Sequence, residues 1–242
     1  MNRPFRDALT ARAAAGFAPV IPDVKLRSPK EGDLLAGRDP VEQAVRLAAA
    51  GAPVLSVVTE AEHFGGSPEL LRDIAAAAGI PTLAKDFVVD AAGLESAARA
   101  GAAAVLLICA TAGLETVARL ADQAIALGLE PLVEAHTAAE LAWAADLTRA
   151  NPDARLVGIN NRDIAGLEKD AGTVGRTAAL AGGAPLAPGA LLISESGIAS
   201  RRDVAAALAA GAHAVLVGTA IWRAPDPAAF YSELSRTVPE PE

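Results

Sequence analysis

Eight short apolar runs recur along this 242-residue chain, each separated from the next by an alanine-rich stretch of helical character. They cover residues 19–24, 54–58, 81–84, 104–109, 130–133, 156–159, 191–193 and 214–217. Each is nearly continuous and rich in Val, Ile or Leu, the pattern of a strand buried on both faces. Helical patterns lie at 41–50, 91–100, 114–127, 138–148 and 201–210. Asp90, Thr137 and Ser200 stand where N-caps belong, and Gly128 where a helix C-terminal glycine belongs. Ala50-Gly51-Ala52, Ala100-Gly101-Ala102 and Ala210-Gly211-Ala212 repeat one junction, in which a glycine ends a helix and leads into the next run. Strand–helix–strand repetition requires crossovers and a parallel sheet. The expectation is one α/β domain, a single (β/α)8 TIM barrel. Residues 1–18 form an N-terminal helical extension, 19–236 the barrel and 237–242 a tail. An open, doubly wound sheet is the alternative.

Composition narrows the function. Aliphatic residues carry the core, since hydrophobic residues make up 52% and aromatics only 3%. The net charge of −8 argues against general nucleic-acid binding. It leaves room for a small anionic ligand held by local Lys and Arg. A single cysteine, Cys109, cannot form an intrachain disulfide and reads as a small core residue. No apolar run approaches the ~20 residues of a membrane span, and the first residues contain no apolar signal core. A cytoplasmic enzyme with no membrane contact is expected. The sequence specifies no protein partner.

Polar residues cluster at the ends of the apolar runs, where a barrel builds its active-site mouth. Lys25 closes the first run, with Arg27, Ser28 and Lys30 in the loop beyond. Lys85 closes the third, beside Phe87, and burial there would lower its pKa and suit it to general acid work. Glu134 and His136 close the fifth, Asn160 and Arg162 the sixth, and Glu195 the seventh. Ser196-Gly197 and Gly218-Thr219 follow the seventh and eighth runs, the usual position of a barrel phosphate site. Phe64, in a glycine-rich loop, offers an apolar wall to an aromatic ligand. His63, His136 and His213 lack metal-ligand spacing, so no metal site is expected.

Taken together, the segments Val24-Lys25…Ser28-Pro29, Phe64-Gly65-Gly66-Ser67, Lys85-Asp86-Phe87, Leu132-Val133-Glu134, Gly158-Ile159-Asn160-Asn161-Arg162, Ser194-Glu195-Ser196-Gly197-Ile198 and Val217-Gly218 resemble those of the indole-3-glycerol phosphate synthase family. The resemblance implies a carbon–carbon lyase of tryptophan biosynthesis. Its substrate would be 1-(2-carboxyphenylamino)-1-deoxyribulose 5-phosphate, converted with loss of CO2 and water and without a cofactor. It implies Lys85 as general acid, Glu134 as base, and Lys25 with Asp23 assisting. Ser28, Phe64, Asn160, Arg162, Glu195 and Ser196 would hold substrate, with Gly197, Gly218 and Thr219 at the phosphate. Asp23 stands where the family usually has Glu, Lys30 where it has Ser, and Thr219 where it has Ser. A related barrel acting on another aryl-amino or sugar phosphate, or a non-catalytic phosphate binder, are the alternatives.

Overall fold

The computed structural model describes residues 3–162 and 173–236; the expected tail at 237–242 lies outside them. Eight parallel strands close on themselves: β1 (Val20–Val24), β2 (Leu55–Val58), β3 (Thr82–Lys85), β4 (Ala104–Ile108), β5 (Glu130–Ala135), β6 (Leu156–Asn160), β7 (Leu191–Glu195) and β8 (Ala214–Val217). Closure is made by β1, which pairs with β8 through Val20 and Val215 and with β2 through Asp23 and Ser56. That pairing excludes the open sheet. Sequence boundaries were one to two residues off at several ends. Lys85, Glu134, Asn160 and Glu195 lie within their strands rather than after them. Cys109 begins a one-turn helix, Cys109–Ala112, rather than ending β4, although it is buried as expected.

Alternation along the strands sorts the core into two layers. Val20, Val24, Val57, Val105, Val133, Val157 and Val215 face outward, against the helices. Ile21, Leu83, Leu106, Leu132, Leu156, Ile193 and Leu216 face inward and fill the barrel. The next inward positions toward the strands' C-terminal ends, two residues on, are Asp23, Lys85, Glu134, Gly158, Glu195 and Gly218, with Ile108 on β4 the one aliphatic exception. The barrel interior therefore changes from aliphatic to polar within one step of a period-2 pattern, and that step sets the floor of the mouth.

Capping follows the sequence. Asp90 accepts from the Gly93 N–H, Thr137 forms a reciprocal capping box with Glu140, and Ser200 accepts from the Asp203 N–H. The three repeated junction glycines have φ of 95°, 81° and 105°, a left-handed conformation that suits glycine. Helices not read from the sequence also occur, notably Pro68–Ala78 and Pro227–Leu234.

The N-terminal helix, Pro4–Ala14, is no loose extension. Phe5 and Leu9 insert into the inward layer and plug the barrel's lower end. Glu130, at the start of β5, accepts hydrogen bonds from the Phe5 N–H (2.7 Å) and the Arg6 N–H (3.2 Å), two donors a helix start leaves unpaired. Burial pushes the Glu130 carboxyl up from 4.5 to about 7, against the pull of those two N–H groups. Between those values the folded chain binds more protons than the unfolded one. This contribution to stability is complete below the lower value and is lost as pH rises through the higher. Glu130→Gln is therefore expected to remove part of the decline in Tm between about pH 5 and about pH 8. Melts of both proteins across that range are the check, and parallel curves would show that Glu130 ionises like an exposed carboxyl.

Candidate active site

The mouth encloses a cavity of about 580 Å3 lined by Asp23, Lys25, Lys85, Arg162, Ser196, Gly197, Gly218 and Thr219, among others. Eight of the residues expected from sequence thus meet around one space. A smaller apolar slot adjoins it, walled by Phe64, Phe87, Leu106 and Ile108. Asp23, Lys25 and Lys85 line both, so the two lysines stand on the seam between a polar chamber and an apolar one.

Each of these groups is fixed by its element. Asp23 is buried, its Oδ1 accepting from the Ser56 hydroxyl at 2.7 Å. Its backbone carbonyl accepts from the Trp222 indole N–H at 2.7 Å. Lys25 is buried, with Nζ 5.8 Å from the centroid of Phe64. Lys85 is half-buried at the end of β3. The neighbouring Asp86 also borders the slot, its carboxylate accepting from the Thr59 hydroxyl and the Phe87 N–H. Ser28 lines neither chamber; its hydroxyl accepts from the Glu31 N–H and shapes the loop above β1. That loop folds as a small hairpin, Arg27–Ser28 against Gly32–Asp33, and is tied across the mouth by an ion pair between Glu31 and Arg223.

Beneath the chamber, Glu134, Asn160 and Glu195 form a buried floor. Asn160 Nδ2 donates to Glu134 Oε2 at 3.2 Å, and its Oδ1 accepts from the Arg162 N–H. Arg176, which sequence reasoning did not single out, donates to the carbonyls of Asn160 and Arg162 at 2.8 Å each and braces that turn. His136 Nε2 lies 3.4 Å from Glu134 Oε1. Neither carboxyl oxygen of Glu195 has a hydrogen-bond partner among the described residues. Burial first, and then the negative charge of Glu134, push the Glu195 carboxyl well above its usual range, while the Lys85 ammonium pulls it down. The floor thus offers a buried Glu195 carboxyl that holds its proton, the Glu134 carboxyl beside it, a lysine above them, and an amide between.

Two glycines make this arrangement possible. At Gly158 in β6, a Cβ would stand 2.2 Å from Glu195 Oε1, so the Glu195 carboxyl occupies space that only glycine leaves. A glycine inside a strand signals such close approach, and the sequence reading passed over it. At Gly218 a Cβ would meet Asp23 Oδ2 at 3.1 Å and the Lys25 side chain at 3.2 Å. Gly218 therefore makes room for the Asp23–Lys25 corner, not only for an anion. On the adjoining strand end, Ser196 and Gly197 adopt φ of 66° and 71°, a left-handed pair directly after β7.

Comparisons with known proteins point to one family. The family model described as "Indole-3-glycerol phosphate synthase" matches residues 1–234. The chain is 44% identical to the indole-3-glycerol phosphate synthase of Kineococcus radiotolerans over 216 residues, 89% of this chain and 75% of that one. It is 42% identical to the protein of the same name from Thermococcus kodakarensis, covering 89% of this chain and 91% of that one. Against the Carboxydothermus hydrogenoformans protein of that name, identity is 39% over 92% of this chain and 81% of the other.

Proposed function

This chain belongs to the indole-3-glycerol phosphate synthase family, and we propose that it closes the indole ring of 1-(2-carboxyphenylamino)-1-deoxyribulose 5-phosphate with loss of CO2 and water. The observation that carries the reading is the seam. A substrate with an aryl end, a phosphate end and a reacting carbon between them matches an apolar slot and a polar chamber that meet at two lysines. The aryl ring rests against Phe64, Phe87, Leu106 and Ile108. The phosphate sits over Ser196-Gly197 and Gly218-Thr219, whose backbone N–H groups and neighbouring Arg162 neutralise it.

In this reading Lys85 donates a proton to the C2′ oxygen as the ring carbon bearing the carboxylate attacks C2′. The carboxylate leaves as CO2, and its electron pair restores the aromatic ring. The C2′ hydroxyl then takes a proton from the Lys25 ammonium and departs as water, and Glu134 takes the C1′ proton whose loss forms the indole double bond. Lys25 and Asp23 steady the departing groups. Asn160 orients Glu134, and Glu195, in its proton-retaining setting, binds a ribulose hydroxyl. The substrate's own amine drives the electron flow, so these residues need no cofactor. Among the described residues no helix is long and apolar enough to cross a membrane. A phosphorylated substrate that cannot cross a bilayer unaided supports reading this as a cytoplasmic enzyme.

Asp23 motivates the second reading, a related barrel with another aryl-amino or sugar phosphate, because its carboxylate stops one methylene short of the family's usual Glu. The Ser56 hydroxyl already holds it in place. Asp23→Glu is expected to preserve or raise turnover of the family substrate, since the longer arm reaches further toward Lys25. Steady-state kinetics and thermal melts of this variant decide the matter. Lost activity beside an unchanged melt would favour the second reading.

A further inference from the structure

Asn161 lies next to Asn160 but points the opposite way, out of the barrel mouth and under its phosphate rim. It is buried at 5% exposure. Its backbone N–H donates to the Glu195 carbonyl at 2.9 Å. Its Nδ2 lies within hydrogen-bond distance of the Glu195 carbonyl (2.9 Å), the Ser196 carbonyl (3.1 Å) and the Ser194 hydroxyl (3.0 Å). Its Oδ1 accepts from the Thr177 N–H at 3.0 Å and lies 3.1 Å from the Thr177 hydroxyl. The Thr177 and Ser194 hydroxyls are 2.7 Å apart.

Proton accounting gives this cluster one consistent direction. Carbonyls only accept, and the amide nitrogen has two protons. One serves the paired carbonyls of Glu195 and Ser196, and the other the Ser194 hydroxyl. Ser194 then donates to Thr177, and Thr177 to Asn161 Oδ1, which closes a ring of donors and acceptors. The two carbonyls are those that flank the change from extended β7 to left-handed backbone at Ser196 and Gly197. A serine seldom adopts that conformation unaided.

We propose that Asn161 is the positioning residue of the phosphate site: it clamps the Glu195 and Ser196 carbonyls, and so holds the Ser196–Gly197 backbone N–H groups toward the anion. The proposal rests on the phosphate reading above. It assigns to Asn161 an effect chiefly on anion affinity, because the carbonyls that its side chain clamps lead into the Ser196–Gly197 turn.

The test titrates wild type, Asn161→Ala, Ser196→Gly and the double variant with inorganic phosphate by calorimetry, alongside thermal melts. Asn161→Ala is expected to weaken phosphate about tenfold, as loss of a buried polar partner does. In the Ser196→Gly background the same change should weaken it far less, because glycine takes the left-handed conformation without a clamp. Thr177→Val, which breaks the ring at a distance, should weaken phosphate in the same direction by about threefold, and it gives a second measure if Asn161→Ala folds poorly. Where substrate turnover is measured, KM should rise with kcat nearly unchanged. Equal losses in both backgrounds, or a lowered melt with phosphate affinity intact, would overturn the role of Asn161. A wild type that binds no phosphate would instead overturn the site reading on which it rests.

Discussion

Lys85→Ala is expected to lower the rate of ring closure by ~10²–10⁴-fold, the usual contribution of a general acid. The C2′ oxygen gains negative charge as the ring carbon attacks, and no water in an apolar slot matches a fixed ammonium as proton donor. Lys85 is the final residue of β3, on the inward face two positions beyond Leu83, and it lines both chambers. Its removal leaves the opposite rim, Ser196-Gly197 and Gly218-Thr219, in place. Phosphate affinity should therefore stay within about threefold of wild type, since that charge lies outside the anion's direct contacts. Single-turnover kinetics paired with phosphate calorimetry separates the two effects. Near-wild-type turnover would remove Lys85 as the acid, and loss of phosphate binding in step with rate would make it an anion ligand.

The second large effect is expected at Gly158, a position with no functional group. A methyl there would stand 2.2 Å from Glu195 Oε1 and 3.6 Å from the Glu134 Cα. Glu195 is fully buried between β6 and β8, so its carboxyl must rotate or the strands must separate. Displacing a site group by about 1 Å costs on the order of 100-fold in rate, and overpacking costs about 1–3 kcal/mol in stability. Gly158→Ala should therefore lower both kcat/KM and Tm. In a Glu195→Ala background the offending oxygen is gone, and the same substitution should cost little stability. Melts of the four proteins in that cycle provide the check. Equal destabilisation in both backgrounds would place the clash with the strand instead of the Glu195 carboxyl.

Much of this was legible before the structure, for a physical reason. Barrel strands are short and buried on both faces, so they read as apolar runs, and a polar residue closing such a run has few places to go but the mouth. That logic located Lys25, Lys85, Glu134, Asn160 and Glu195 without any knowledge of distances. The unread parts depend on partners far apart in sequence. Gly158 is informative only because Glu195, on the next strand, leans into the space it leaves. Trp222 supports Asp23 from 199 residues away. Asn161 looks like a repeat of Asn160 until the alternation of β6 sends it toward Thr177 and Ser194. The helix Pro68–Ala78 carried a start signal, Ser67 followed by Pro68, yet its glycine-rich approach read as loop alone.

The central claim is that the seam between the two chambers catalyses a decarboxylative ring closure. The most direct test incubates the wild-type protein with 1-(2-carboxyphenylamino)-1-deoxyribulose 5-phosphate and follows indole fluorescence and released CO2 together. The account predicts both signals at equal molar yield, with catalytic turnover and no added metal or cofactor. Bound substrate with neither signal, from a protein whose fold and phosphate affinity are intact, would contradict it.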